Sequence, residues 1–237
     1  MARSWSPSIP SSQAAEMAGY FITGTDTGCG KTEISLGLMQ LLQSQGQHVL
    51  GMKPVASGAE PTPEGLHNED ALKLQAQGSI ELPYSAINPF AYEPPIAPHL
   101  AARQVGESID LNLIAAHYTA LSAQADSVIV EGVGGWRVPL NDSQGVSDLA
   151  VMLGLPVVLV VGLKLGCINH ALLSVESILS SGARLVGWVG NVVERDMLEV
   201  EGNVETVKGM ISVPCLGVVP FMDEVSVSDI ARRMELP

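Results

Sequence analysis

The segment from Tyr20 to Leu42 commits the chain to one kind of local architecture. The apolar run Tyr20-Phe21-Ile22 leads into the turn Gly24-Thr25-Asp26-Thr27-Gly28-Cys29-Gly30-Lys31-Thr32, after which Ile34, Leu38, Leu41 and Leu42 recur at helical spacing up to a stop at Gly46. Strand, glycine-rich turn and helix in that order make a phosphate cradle. Backbone N–H groups of the turn point inward at phosphate oxygens, Lys31 reaches the outer phosphates, and Thr32 offers its hydroxyl to Mg²⁺ at a helix start whose dipole favours anions. The commonest spacing of such loops places its first glycine at position 25, where this chain has Thr25. The flanking strand and helix restore the reading.

The same alternation continues along the chain. Short β-branched runs near 20–23, 48–53, 127–131, 157–162, 185–190 and 215–219 separate amphipathic segments near 31–45, 70–77, 107–124, 146–153, 168–181 and 197–211. Val157 to Val161 is apolar at consecutive positions, as expected where both faces of a strand are covered. The predicted fold is a single three-layer α/β/α domain over 19–237 with a mostly parallel central sheet, of the phosphate-loop NTPase type. Ligands then gather at the carboxyl ends of the strands. The Pro-rich stretch Ser79 to Pro98 is neither helix interior nor central strand; it is a lid or substrate wall, or else a structural surface loop. The Ser-, Pro- and Ala-rich residues 1–18 have no apolar core of a secretory signal and are set aside as a disordered tail or added extension.

A net charge of -13 over 237 residues argues against nucleic acid or an anionic membrane as partner. Cys29, Cys167 and Cys215 are odd in number and widely spaced, which fits a reducing compartment, the cytoplasm by default, and gives no zinc spacing. The longest apolar run, Leu149 to Leu163, is broken by Gly154, Pro156 and Gly162 and is too short to span a bilayer.

Several polar residues fall at predicted strand ends. Lys53 closes the second strand before Pro54, either clamping an anion or lying as an ordinary surface lysine; Ser57 beside Gly58 is a candidate donor or a plain turn serine. Glu131 ends the run Ser127–Glu131 ahead of Gly132-Val133-Gly134-Gly135, where phosphate-loop enzymes place an acid that meets Mg²⁺. Asp70 is a second carboxylate for the metal or a helix-start charge. Gly166-Cys167-Ile168-Asn169 precedes a helix and could hold a carboxylate or phosphate, with capping by Asn169 as the alternative. Asn191 offers an amide to a purine edge or forms a turn.

Taken together, G-T-D-T-x-x-G-K-T at 24–32, K-P-V-A-S-G at 53–58, N-x-D-A at 68–71, V-E-G-x-G-G-W at 130–136, V-G-x-K-L-G-C-I-N-H-A at 161–171 and G-W-V-x-N at 187–191 closely resemble dethiobiotin synthetases, from Tyr20 to about Phe221. The family shares the longer glycine spacing. The resemblance implies an ATP- and Mg²⁺-dependent ligase that joins CO₂ to 7,8-diaminononanoate and closes the ureido ring, releasing ADP and phosphate. It further implies that Thr27, Lys31 and Lys53 stabilise charge on the γ-phosphate and carbamate, that Thr32, Asp70 and Glu131 hold Mg²⁺, and that Ser57 meets the nitrogen-bearing end of the substrate. Gly28, Cys29, Gly30, Gly132, Val133 and Gly134 would line the nucleotide, and Asn191 with Pro220, Phe221 and Met222 would frame adenine. Gly166, Cys167, Ile168 and Asn169 would receive the substrate's far carboxylate from the neighbouring subunit of a homodimer. A tyrosine common in the family is missing from Glu194–Gly209, where Asn203 stands at about its position. Replacing Lys31 or Lys53 with Gln is expected to lower turnover by orders of magnitude with the fold intact.

Overall fold

A computed structural model describes residues 19–237, so the expectation for 1–18 falls outside the described residues. In chain order the elements are β1 (Gly19–Gly24), α1 (Lys31–Ser44), β2 (Val49–Met52), β3 (Val55–Ser57), β4 (Glu60–Thr62), β5 (Gly65–His67), α2 (Glu69–Gln77), α3 (Tyr84–Ile87) and β6 (Phe90–Tyr92). There follow α4 (Pro98–Gln104), α5 (Leu111–Ser122), β7 (Ser127–Glu131), α6 (Val146–Leu153), β8 (Val157–Leu163), α7 (Cys167–Ser180), β9 (Leu185–Val192), α8 (Val200–Met210), β10 (Cys215–Val219) and α9 (Val227–Ala231).

The main sheet runs β10-β9-β8-β1-β7-β2, and every neighbouring pair in it is parallel. Helices cover both faces in a three-layer α/β/α arrangement. All seven residues of β8 are buried, which is why this strand reads as an unbroken apolar run rather than an alternating one. Phe21 of β1 meets Trp136 edge to face, with ring centroids 6.4 Å apart. The strand order reverses at β1, which has β7 on one side and β8 on the other. The phosphate loop therefore leaves the sheet at its switch point, where an open α/β fold leaves a crevice.

Helix ends follow local chemistry. The α1 helix ends just before Gly46, whose φ of 84° lies in the left-handed region and whose N–H returns to the Gln43 carbonyl. For α5 the sequence predicts a start near 107, but the helix begins at Leu111, because Asp110 caps it by accepting from the Asn112 N–H at 2.8 Å. In the Pro-rich stretch only the single turn α3 and the three-residue β6 form, and β6 pairs with β3 outside the main sheet.

Candidate active site

The loop after β1 begins with Thr25, the residue that breaks the commonest glycine spacing. Its N–H donates to the Val160 carbonyl at 2.9 Å and its hydroxyl accepts from the Gly162 N–H at 3.2 Å, so Thr25 ties the loop's first residue to the end of β8. Gly30 closes the loop with φ 90°, and a Cβ there would stand 2.0 Å from Asn191 Nδ2. Only glycine fits both the conformation and the space. Lys31 folds back over the loop and donates to the Asp26 carbonyl at 3.0 Å.

This loop forms one wall of a cavity of about 640 Å³. Thr27, Gly28, Gly30, Lys31 and Thr32 line it from the loop, Lys53 and Ser57 from the segment after β2, Asp70 from the first turn of α2, and Glu131, Val133 and Gly134 from the end of β7. Residues more than a hundred positions apart, Thr27 and Gly134 among them, thus meet on one rim, because the segments after β1, β2 and β7 leave the carboxyl edge of the parallel sheet and α2 brings Asp70 to it. Pro95, Ile96, Ala97 and Pro98 close another side, so the Pro-rich stretch serves as a wall.

At the floor lies a polar cluster. Lys53 Nζ donates to Glu131 Oε1 at 2.5 Å and to Asp70 Oδ2 at 2.9 Å, and Thr32 Oγ1 donates to the same Glu131 oxygen at 2.9 Å. Lys53 and Glu131 are only 4% and 1% exposed, so the solvated-lysine alternative for Lys53 is removed. Burial works to lower the Lys53 pKa, but the charges of Glu131 and Asp70 outweigh it and hold the ammonium above its ordinary value. For Asp70 burial works upward, yet the Lys53 charge and hydrogen bond prevail and hold the carboxyl below the usual range. Asp70 is both a helix-start charge and a cavity group, since Asn68 caps α2 just before it. Two polar atoms of cavity-lining residues, Ser57 Oγ and Glu131 Oε2, are buried with no hydrogen-bond partner among the described residues.

A second cavity of about 280 Å³ shares Gly28, Gly30 and Glu33 with the first and is lined further by Asn191, Pro220, Phe221 and Met222. Asn191 Nδ2 donates to the Cys29 carbonyl at 3.0 Å, which fixes its amide against the loop. Cys29 is itself buried, and Gly132 lines a small cleft on the far side of Glu131 with Pro54 and Val55. Gly166, Cys167, Ile168 and Asn169 are not among the residues lining the main cavity. They start α7 beyond β8, with Gly166 left-handed and no side chain capping the helix; Asn169 lies inside the first turn rather than at its cap. Lys164 of the preceding loop pairs with Asp26 at 3.2 Å, linking that region to the phosphate loop. Glu33, Ala56, Asn68 and Val138 line the cavity although they are not among the predicted site residues, whereas Pro95–Pro98 belong to the stretch read as a lid or substrate wall. Glu33 was legible as a residue of the turn that follows the loop, whereas the wall residues depend on how the Pro-rich stretch folds back.

The family profile described as "AAA domain" matches residues 18–228. An ATP-dependent dethiobiotin synthetase of Pseudomonas aeruginosa (strain LESB58) is 50% identical over 223 residues, covering 93% of this chain and 97% of the relative. One from Cellvibrio japonicus is 48% identical over 217 residues, covering 92% and 95%. Among solved structures, a ParA family ATPase from Chlorobium tepidum superposes with a TM-score of 0.56 at 12% identity over 92% of each chain, a likeness of fold. With near-complete coverage at such identity, the chain belongs to the ATP-dependent dethiobiotin synthetase family.

Proposed function

We propose that the chain is an ATP-dependent dethiobiotin synthetase that closes the ureido ring from 7,8-diaminononanoate and CO₂ in biotin biosynthesis. The observation that carries this reading is the convergence of Lys31, Lys53, Ser57, Asp70 and Glu131 on one cavity beside the phosphate loop. Ring closure needs such a meeting of groups. One amine of the substrate attacks CO₂ and loses a proton, giving a carbamate. A carbamate oxygen then attacks the γ-phosphorus as the bond to the ADP oxygen breaks. The second amine attacks the carbonyl carbon of the resulting mixed anhydride, a proton leaves, and phosphate departs.

The residues fit these steps by charge and position. Thr27 and Lys31 hold the γ-phosphoryl group, whose equatorial oxygens carry the developing charge. Lys53, kept protonated by its carboxylate neighbours, is a fixed positive charge toward the carbamate rather than a base. Ser57 brings a hydroxyl without a partner to the nitrogen-bearing end of the substrate. In this reading Gly28, Gly30, Val133 and Gly134 line the space for the phosphates, with Cys29 and Gly132 as chain neighbours behind that lining, and Asn191 with Pro220, Phe221 and Met222 frames the adenine.

The Thr32 hydroxyl and the Asp70 and Glu131 carboxylates are hard oxygen donors, and the unpartnered Glu131 Oε2 leaves this set with spare acceptor capacity. They suit Mg²⁺ and would hold it, where it supplies charge neutralisation on the phosphate oxygens. The same reading includes a cytoplasmic homodimer in which Gly166, Cys167, Ile168 and Asn169 meet the substrate's far carboxylate across the interface. It is supported by the exposure of Gly166 and Asn169 around the start of α7, where Cys167 is itself buried, by Leu165 and Leu173 at 96% and 57% exposure, and by the free thiols. Among the described residues no helix is long and apolar enough to cross a membrane. The domain of this synthetase spans 19–237.

The test is phosphate release from Mg²⁺–ATP in the presence of bicarbonate, with and without the diamine. Release that depends on the diamine is expected; steady hydrolysis indifferent to it would instead assign a switch ATPase. Sedimentation of the protein and of Leu173→Glu checks the dimer, which the charged variant should split.

A further inference from the structure

Lys53 and Ser57 reach the cavity from a segment that has left the main sheet, because Pro54 follows Lys53 and β2 ends at Met52. Their backbone needs other partners. The Lys53 N–H donates to the Ile87 carbonyl at 2.9 Å, and the Lys53 carbonyl accepts from Asn88 Nδ2 at 2.6 Å. The Asn88 amide oxygen in turn accepts from the Tyr84 hydroxyl at 2.7 Å. Tyr84 uses its remaining capacity to accept from the Asn68 N–H at 2.8 Å, while its ring lies against His67 with centroids 4.1 Å apart. Asn68 is the residue that caps α2, with its side-chain oxygen accepting from the Ala71 N–H at 3.3 Å and its amide nitrogen 3.5 Å from the Ser57 carbonyl.

These bonds form one path from the backbone of Lys53, through Asn88, Tyr84 and Asn68, to the backbone of Ser57 and the first turn that carries Asp70. Asn68 and Asn88 are only 8% and 4% exposed, so water cannot readily replace the links. Tyr84 and Asn88 are not among the residues lining the cavity, and the Asn88 amide also donates to the Phe90 carbonyl at 3.1 Å, which ties the path to β6. We propose that Tyr84 and Asn88 are positioning residues, which hold Lys53, Ser57 and Asp70 in mutual register for ring closure through the hydrogen-bonded path Lys53–Asn88–Tyr84–Asn68.

This inference rests on the functional reading above and adds to it. Reacting groups displaced by about 1 Å lose on the order of a hundredfold in rate, so a path that fixes two facing segments controls kcat more than nucleotide affinity. The phosphate loop takes no part in the path, which separates the two effects.

The experiment compares Tyr84→Phe, which keeps the ring on His67 and removes one oxygen, with Asn88→Ala in the full-length protein. For Tyr84→Phe the expected result is a fall in kcat of about tenfold with KM for ATP within about twofold; for Asn88→Ala, about a hundredfold. In a Lys53→Gln background the Tyr84→Phe effect should shrink to less than about threefold, since residues acting through one group are not additive. Unchanged kcat in Tyr84→Phe, or a full multiplicative loss in the Lys53→Gln background, would overturn the assignment. Amide hydrogen exchange reads the path without turnover: in Tyr84→Phe the Asn68 N–H should exchange at least about tenfold faster while β1 amides keep their protection. Equal Asn68 protection in both proteins would sink the path even if the wild-type protein made no ureido product, whereas that lack of product alone would fault the functional reading.

Discussion

Replacing Lys53 with Met separates what this lysine does for the fold from what it does for the reaction. Methionine has similar length and no donor, so Glu131, 1% exposed, would keep its charge with only the Thr32 hydroxyl bonded to it. Removing one partner of a buried ion pair costs about 3–5 kcal/mol, because the remaining charge is stranded. The Asp70 side chain is 39% exposed and adds little to that figure, since water screens it. For a chain of this size, about 2–4 °C of Tm accompanies each kcal/mol, so a fall of roughly 6–20 °C is expected. Thermal unfolding of wild type, Lys53→Met, Glu131→Gln and the double variant, without nucleotide or metal, measures this. The double variant should recover at least about 1.5 kcal/mol relative to additivity. A Lys53→Met protein within about 0.5 kcal/mol of wild type at pH 7 would refute the reasoning.

Three further outcomes follow from the geometry. Gly30→Ala should abolish binding of a fluorescent ATP analogue, because the new methyl group meets Asn191 in a left-handed backbone; retained affinity would mean the loop can shift at low cost. Ser57→Ala should leave Tm unchanged or slightly raised, since it deletes a buried unpartnered hydroxyl, while raising KM for the diamine about tenfold; a lowered Tm with unaltered KM would point to a structural serine. The Asp70 pKa is lowered in the fold, so the unfolded chain binds more protons in the acid range, and the stability it contributes is full above its unfolded value of about 3.9 and drains as pH falls through the folded value. Asp70→Asn should accordingly flatten the loss of Tm below about pH 4, and an acid limb identical to wild type would contradict the pairing with Lys53.

The main sheet was readable because its signals are local. Buried parallel strands appear as apolar runs, and the helices between them keep their periodicity, so β8 and α1 were legible within a residue or two. The turn between β1 and α1 was likewise readable, since a turn built to wrap phosphate must be rich in glycine and end in Lys-Thr. What the sequence hid is non-local. Lys53 as a surface residue and Lys53 as a buried cation have the same letter and the same neighbours; only its 2.5 Å contact with Glu131, 78 positions away, distinguishes them. The short elements β3 to β6 carry too few residues for a periodic signal, and α9 is set against α1 by tertiary packing. Tyr84 and Asn88 escaped notice because they sit in a Pro-rich stretch and act through backbone atoms that no motif displays.

The most direct measurement follows ¹³C-bicarbonate through a reaction with 7,8-diaminononanoate, Mg²⁺ and ATP, comparing labelled product by mass spectrometry with phosphate formed. One labelled dethiobiotin for each phosphate is expected, with both lost together in Lys31→Gln. Phosphate released without labelled ring product would contradict the account.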